Sequence, residues 1–213
     1  NRSFCTINLF NFAIMNFPIL SSLILLPTIG ALFLLFSKDK NSNTGKYVAL
    51  FTSFVSFLIS IYLWFLFDPS TSSFQFVEDR EWLNGFANYK VGIDGISILF
   101  IILTTFITPI CIISVNNTVK IRLRDFLIAI LVMESLMIGV FCSLDLVVFY
   151  LFFEAGLIPM FLIIGIWGGT RRVYSAFKFF LYTLLGSVLM LVAIISIYWI
   201  AGTTDITQLY ELG

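Results

Sequence analysis

The chain has 213 residues, of which 60% are apolar and only 11% are charged, a composition that excludes an ordinary soluble domain. Its mean hydropathy of +1.03 indicates an integral membrane protein. The net charge is zero and histidine is absent, which argues against a nucleic-acid partner, a haem site and acid–base chemistry by imidazole.

The first 14 residues precede a methionine that opens directly into an apolar run. This stretch has one basic residue and a mixed character, so it is too weakly patterned for a signal peptide. We therefore interpret Met15 as the natural start and residues 1–14 as an N-terminal extension. The alternative is a chain that begins within a longer reading frame.

Six apolar runs are long enough to cross a bilayer, which takes about 20 helical residues. The predicted helices are Phe17–Phe36, Tyr47–Phe67, Ile93–Val115, Asp125–Ser143, Asp145–Trp167 and Tyr174–Ala201. The sequence therefore predicts an all-α membrane protein with six transmembrane helices. Helices one to three lie in residues 15–124 and helices four to six in residues 125–213.

Basic residues are concentrated in every second connection between these helices. The connections after helices one, three and five hold eight of them: Lys38, Lys40, Lys46, Lys120, Arg122, Arg124, Arg171 and Arg172. The opposite side holds Arg2, Arg80 and Lys90, together with most of the acidic residues. The positive-inside rule then places both termini outside.

The longest connection, residues 68–92, is predicted to form a short hairpin on the outer face. Polar and apolar residues partly alternate from Phe74 to Glu78, and Asn84-Gly85 is a turn-prone pair. Two interpretations of this segment stay open. It is either an interaction surface or a solvated loop that only joins two helices.

Two glutamates, Glu134 and Glu154, lie deep within the fourth and fifth predicted helices. The tight connection around Leu144 makes these helices an antiparallel hairpin, in which both glutamates lie at a similar depth, about 13–14 Å from a helix end. A carboxylate there costs about 2.5–3.5 kcal/mol unless it faces protein or water, so it marks an ion or proton pathway by default. The alternative, which is stronger for Glu134, is a hydrogen-bonded packing residue. Spacing does not show whether the two face each other.

The neighbours of Glu154 favour a pathway role. Ala155 and Gly156 are small enough to let another helix approach closely. Pro159 removes one helical hydrogen bond and frees the carbonyl of Ala155, which gives water a point of entry. Lys178, about one turn inside the sixth helix, is the candidate cation that tunes the proton affinity of Glu154. Its alternative role is that of a lysine reaching back to the membrane interface.

Three motifs carry a resemblance to a known family. The run Phe149–Met160 (FYLFFEAGLIPM), the element Ile166–Gly169 (IWGG) and the run Lys178–Thr183 (KFFLYT) follow one another in register. Together they resemble the fifth and sixth helices of subunit M, called subunit 4 in mitochondria, of proton-pumping NADH:quinone oxidoreductase (complex I). The segment Val91–Ser97 is similar to the family's entry into its third helix, and the resemblance extends from Met15 to the last residue.

The resemblance implies an antiporter-like subunit of about fourteen helices with two inverted repeats. This chain would supply helices one to three and, in residues 125–213, an incomplete first repeat. The family's functional glutamate falls on Glu154, whereas Glu134 and Lys178 match no family motif. The partner lysine of Glu154 would lie on a seventh helix, so we expect either a fragment or a subunit completed by a second polypeptide.

The resemblance also implies where the redox chemistry takes place. FMN, iron–sulfur clusters and quinone would be bound by other subunits, since this chain has no glycine-rich phosphate loop and no clustered cysteines. Cys5, Cys111 and Cys142 lie far apart and are interpreted as apolar packing residues, and no metal site is expected. The expected partners are the lipid bilayer, other membrane-arm subunits and the remaining half of the same subunit.

Three classes of function are compatible with these features. The first is a proton-translocating subunit of complex I, and the second is the related subunit of a sodium/proton antiporter or membrane-bound hydrogenase. The third is a structural or assembly protein. The Trp-Gly-Gly and Tyr-Thr elements favour the first over the second, and a midplane glutamate beside Pro159 disfavours the third. The expected location is a bacterial inner membrane, with the mitochondrial inner membrane as the alternative.

Overall fold

The computed structural model describes residues 18–36, 43–71, 73–82, 87–119 and 121–212. Its elements, in chain order, are α1 (Ile19–Phe36), α2 (Asn43–Leu66), β1 (Gln75–Glu81), β2 (Asn88–Ile93), α3 (Ser97–Thr118), α4 (Leu123–Cys142), α5 (Leu146–Trp167), α6 (Arg172–Ala201) and α7 (Ile206–Leu212). Helices α1 to α6 are long and apolar enough to cross a membrane, which confirms the six predicted spans. Several features of the sequence lie outside the described residues: the extension 1–14, Met15, Lys38, Lys40, Lys120 and Asn84-Gly85.

Helix α4 lies at the centre of the bundle and packs against α1, α3 and α5. Its inward side chains belong to two apolar clusters, one near each end of the bundle. The first cluster includes Leu20, Leu23, Ile98, Ile101 and Ile138. The second includes Ala31, Leu34, Ala49, Val115 and Leu131. Helix α6 lies at the edge, packs chiefly against α5, and exposes most of its apolar side chains, as expected of a surface that faces lipid or another membrane helix.

The predicted hairpin is present as two antiparallel strands, β1 and β2. A bulge between Gln75 and Glu78, with Phe76 at a φ of 53°, turns Glu78 toward the bundle. The Glu78 carboxylate accepts hydrogen bonds from the backbone N–H of Leu20 (2.8 Å) and of Ser21 (3.3 Å). These are unpaired donors in the first turn of α1, so the hairpin provides the cap of that helix.

Two helices begin four residues from the predicted position, whereas the other boundaries agree with the prediction to within three residues. Helix α3 begins at Ser97 rather than at Ile93, because Ile93 still belongs to β2 and because Asp94 and Ser97 exchange hydrogen bonds at the turn that leads into the helix. The Ser97 N–H donates to Asp94 Oδ1 (2.7 Å) and the Asp94 N–H donates to Ser97 Oγ (2.8 Å). Burial opposes ionisation of Asp94, but the hydrogen bonds from Ser97 outweigh it and lower the pKa of this carboxyl. Helix α2 begins at Asn43 rather than at Tyr47.

The connections gather at two ends of the bundle with opposite charge. One end, which we call the basic end, carries the described residues Lys46, Arg122, Arg124, Arg171 and Arg172. The other, the acidic end, holds the hairpin, residues 143–145, residues 202–205 and α7, together with Asp68, Glu78, Asp79, Glu81, Asp94, Asp145, Asp205 and Glu211. The asymmetry on which the topology prediction rests is therefore present in the folded chain, while the orientation itself stays a prediction.

Candidate functional site

Glu154 lies in the middle of α5, one turn before Pro159. The helix begins after Asp145, whose carboxylate caps it by accepting from the N–H groups of Val147 (2.8 Å) and Val148 (3.3 Å). The Glu154 side chain is half-buried, and its Oε2 atom is buried with no hydrogen-bond partner among the described residues. An oxygen in this state requires a proton, water or another partner group to satisfy it.

The side of α5 that carries Glu154 faces α6. Phe161, two turns further along the same stripe, contacts Phe177 and Phe180 with ring centroids 5.5 and 5.4 Å apart. Gly165 continues this stripe and lies against Ala176 of α6. Helix α6 runs antiparallel to α5, and Glu154 lies two turns before Phe161. The α6 residue level with Glu154 is therefore found two turns after Phe180.

The α6 residue at that level is Ser187, which is 2% exposed. Its hydroxyl donates to the carbonyl of Leu184 within its own helix (3.0 Å). Thr183, one turn away, likewise donates to the carbonyl of Phe179 (2.8 Å). The α5–α6 interface therefore places hydroxyl groups at the depth of Glu154, within an otherwise apolar contact.

The small residues beside Glu154 border open space rather than a closely packed helix. A methyl group on Gly156 would meet no atom within 4 Å among the described residues. Gly156, Leu157 and Met160 line a cavity of about 750 Å³ whose other walls are largely apolar and combine aromatic with aliphatic side chains. Ala155 lines a second cavity, of about 480 Å³, below Trp82 and the hairpin. The close approach of another helix at Ala155 and Gly156 is thus not made by the part of the chain that the structure describes.

Glu134 is 2% exposed, and both of its carboxylate oxygens are buried with no hydrogen-bond partner among the described residues. It lies in the wall of a cavity of about 300 Å³ between α3 and α4, beside Thr104 and Thr108. Those two hydroxyls donate to carbonyls of their own helix, at 2.8 and 2.9 Å. The cavity therefore offers Glu134 few donors of its own.

The two glutamates lie at a similar depth but face different helices. At Gly139 a methyl group would lie 2.6 Å from the ring of Phe152, so the absence of a side chain lets this ring pack directly onto α4. This contact sets Gly139 of α4 level with Phe152 of α5, and in an antiparallel pair Glu134 is then level with Leu157. Leu157 and Glu154 are three residues apart, so the two glutamates differ in depth by only about 4.5 Å along the axis of α5. Glu134 faces α3, whereas Glu154 faces α6.

Lys178 is exposed on the side of α6 that points away from α5. It lies two residues after Ala176, which faces α5, and two residues correspond to a rotation of about 200° around a helix. It is also nine residues from Ser187, or about 13–14 Å along the axis. The fold of this chain therefore does not bring Lys178 to Glu154.

Sequence reasoning missed a polar cluster at the acidic end. Asp145, which is 1% exposed, accepts from the hydroxyl of Thr204 (2.7 Å) as well as capping α5. Nearby, the Lys90 ammonium pairs with Asp205 (2.6 Å) and donates to Thr207 (2.7 Å). Burial opposes ionisation of Asp205, but the hydrogen bonds from Lys90 and Thr207 outweigh it and lower the pKa of this carboxyl. The sequence offered one sign of this cluster: Asp145 stands directly before an apolar run, and an aspartate in that position is typical of a helix N-cap.

The described residues contain no group of three or more histidine, cysteine, aspartate or glutamate side chains that could hold a metal ion. Cys142 is fully buried in the apolar cluster near the hairpin, and Cys111 is exposed on α3. Cys5 lies outside the described residues.

The chain is similar in sequence to known membrane proteins. Residues 143–212 match the family model described as "NADH:quinone oxidoreductase/Mrp antiporter, TM". The chain is 61% identical over 171 residues to NADH-quinone oxidoreductase subunit M of Rhodobacter capsulatus, which covers 80% of this chain and 32% of that protein. It is 48% identical over 189 residues to NADH-ubiquinone oxidoreductase chain 4 of Marchantia polymorpha (88% of this chain, 38% of that protein). The chain is similar to the N-terminal part of subunit M, which is called chain 4 in mitochondria.

The match to the subunit M family covers its N-terminal part. Against subunit M of Rickettsia prowazekii the identity is 46% over 199 residues, which covers 92% of this chain and 40% of that protein. The chain thus spans 32–40% of the length of these three relatives. The resemblance seen in the sequence motifs is confirmed.

Solved structures agree with this assignment. A chain of respiratory complex I from Thermus thermophilus superimposes with a TM-score of 0.75 at 28% identity, over 87% of this chain and 38% of that one. A chain of an archaeal membrane-bound sulfane sulfur reductase superimposes with a TM-score of 0.80 at 18% identity, over 92% of this chain. The second likeness shows a shared fold alone.

Proposed function

We propose that this chain provides the N-terminal helices of a proton-translocating subunit in the membrane arm of NADH:quinone oxidoreductase, with Glu154 as the group that carries the proton. The observation that supports this most is the Glu154 carboxyl. It lies in the middle of a membrane-spanning helix, and one of its oxygens is buried with no hydrogen-bond partner among the described residues. Intramembrane carboxyl groups are costly, and they occur where ions or protons pass.

Glu154 would work by taking up a proton from one side and releasing it toward the other. Pro159 cannot donate a hydrogen bond to the carbonyl of Ala155, so that carbonyl is an acceptor for water close to the carboxyl. On the other side, Ser187 and Thr183 of α6 bring hydroxyl groups to the same depth. Protons would pass along a hydrogen-bonded series of water, hydroxyl groups and the Glu154 carboxyl, and this transfer needs no redox cofactor in this polypeptide.

Glu134 is proposed as a second protonatable group, separate from Glu154. It faces the cavity between α3 and α4, and a carboxylate buried there without a partner would be costly. Holding a proton removes that cost, as does pairing with a basic group from another helix. Lys178 would act on Glu154 only indirectly, or on a neighbouring helix, because it points away from α5.

The assembly would place this chain among other membrane-arm subunits, with FMN, iron–sulfur clusters and quinone held elsewhere in the complex. The hairpin at the acidic end is a candidate contact with a neighbouring subunit. The basic end would face the bacterial cytoplasm or the mitochondrial matrix. Relatives come from bacteria and from plant mitochondria, and a bacterial inner membrane is the proposed location, with the mitochondrial inner membrane as the alternative.

The decisive experiment is Glu154→Gln in the assembled complex. The glutamine has the same shape but cannot exchange a proton, so we expect most proton pumping and coupled quinone reduction to be lost while assembly is kept. Glu154→Asp is expected to be milder. The matched control is Glu81→Gln, which makes the same change at an exposed position of β1 and is expected to leave pumping intact. Near-normal pumping by an assembled Glu154→Gln complex would reject the proposal.

A further inference from the structure

Asp145 connects three parts of the fold at the acidic end. Its Oδ1 atom caps α5 through the N–H groups of Val147 and Val148, and its Oδ2 atom accepts from the hydroxyl of Thr204 (2.7 Å). Oδ2 also lies 3.4 Å from the backbone nitrogen of Asn88 in β2. A carboxylate that accepts this many hydrogen bonds while 1% exposed is held in one orientation.

Backbone hydrogen bonds continue the same connection on both sides. The Leu144 N–H donates to the carbonyl of Lys90 in β2 (2.9 Å), so residues 143–145 extend the hairpin sheet. The Leu146 N–H donates to the carbonyl of Thr204 (2.9 Å), and the Ile206 N–H donates to the carbonyl of Leu144 (2.9 Å). The segment that follows α6 therefore pairs with the residues at the start of α5 through an antiparallel bridge between Asp145 and Asp205.

This junction matters because α6 has few other supports. It packs chiefly against α5, and its buried residues are only Ala176, Ser187 and Ile194. At the basic end the two helices are held by the contacts of Phe161 and Gly165. At the acidic end α6 stops at Gly202, whose φ of 73° reverses the chain toward Thr204. The rotation of α6 on α5 is thus fixed at its two ends, with Glu154 between them.

We propose that Asp145 and Thr204 are positioning residues for Glu154: their hydrogen bond holds the Ser187 side of α6 over the Glu154 carboxyl. Glu154 lies nine residues from Asp145, or about 13–14 Å along α5, so neither residue touches it. A loosened junction lets α6 rotate or tilt, and this changes which groups face the carboxyl and how much water reaches it. The inference rests on the proposed function of Glu154.

The test is the series Thr204→Val, Thr204→Ala and Thr204→Ser in the assembled complex. Valine keeps the shape of threonine and removes the hydroxyl, whereas serine keeps the hydroxyl. We expect Thr204→Val and Thr204→Ala to lower the pumping rate per assembled complex about threefold to tenfold, the range that one lost hydrogen bond corresponds to. We also expect the pH profile of pumping to shift, because the surroundings of the Glu154 carboxyl change. Serine is expected to restore both. Alanine leaves more room than valine and serves if the valine variant does not assemble.

The control is Ser196→Ala, which removes an exposed hydroxyl of α6 that donates to the carbonyl of Val192 (2.9 Å) and is expected to change nothing. A purely structural role of Thr204 would reduce the amount of assembled complex and leave the rate per complex and the pH profile unchanged, which would overturn the inference. A serine variant as impaired as valine would also overturn it. If Glu154→Gln pumps normally, the proposed function fails first; if that variant is inactive and Thr204→Val is normal, only the positioning role fails.

Discussion

The carboxyl groups of Glu134 and Glu154 show how two residues at the same depth can have unrelated surroundings. Glu134 is almost fully buried and faces the α3–α4 cavity, whereas Glu154 is half-buried and faces α6. The close contact of Phe152 with Gly139 fills the space between their helices. The two carboxyl groups are therefore not expected to share a proton or to repel each other strongly.

Independence of the two groups is testable by a double-mutant cycle. Glu134→Gln is expected to leave pumping almost intact, and its effect is expected to add to that of Glu154→Asp, since the two glutamates share no hydrogen-bond partner among the described residues. The aspartate variant is used because it leaves a measurable rate. The quantity measured is the pumping rate of the four complexes at one pH. A coupling energy above about 1 kcal/mol would mean that the two groups interact after all.

At the scale of elements, short polar contacts decide where the membrane helices begin. Asp145 caps the start of α5, and the reciprocal hydrogen bonds between Asp94 and Ser97 precede the start of α3. Helix α1 differs because its cap comes from Glu78, which is 58 positions away in the sequence from Leu20. Each of these contacts satisfies N–H groups that no residue inside the helix can reach.

Removal of the Glu78 carboxylate is expected to destabilise α1. Glu78→Ala would leave the N–H groups of Leu20 and Ser21 unpaired and remove a negative charge from the helix N-terminus, at a cost of about 1 kcal/mol. Thermal unfolding of the purified complex and hydrogen exchange at the start of α1 measure this loss. Glu81→Ala, at an exposed position of the same strand, is the control and is expected to have little effect. Equal stability of the two variants would show that the cap is not used.

At the scale of the whole molecule, charge distribution and topology belong together. Lys46, Arg122, Arg124, Arg171 and Arg172 lie at the basic end, and the hairpin, the α4–α5 connection and α7 lie at the acidic end. Because insertion keeps basic connections on the cytoplasmic or matrix side, both termini are predicted to lie on the opposite side.

Single-cysteine labelling with a membrane-impermeant reagent checks this orientation. In a background where Cys5, Cys111 and Cys142 are replaced by serine, cysteines at Glu81 and Asp205 are expected to be labelled from outside intact cells or mitoplasts. Cysteines at Lys40, Arg124 and Arg171 are expected to react only after the membrane is opened. Labelling of position 40 from the outside would reverse the predicted topology.

The sequence by itself determined the membrane class, the number of spans, the position of the hairpin and the depth of Glu154. These depend on quantities that are local in the chain. A bilayer demands about 20 apolar residues for each span, and depth follows from counting residues at about 1.5 Å each. The family could also be inferred from the motif around Glu154, since its residues are contiguous.

Only the tertiary structure decided which helix each glutamate faces and where Lys178 points. Counting residues gives depth but not the rotation of one helix against another, and a shift of one residue turns a side chain by about 100°. The structure places Glu134 toward α3, Glu154 toward α6 and Lys178 away from both. The hydrogen bond between Asp145 and Thr204 was likewise decided by the tertiary structure, because the two residues lie 59 positions apart in the sequence. They meet where β2, the start of α5 and the end of α6 converge at the acidic end.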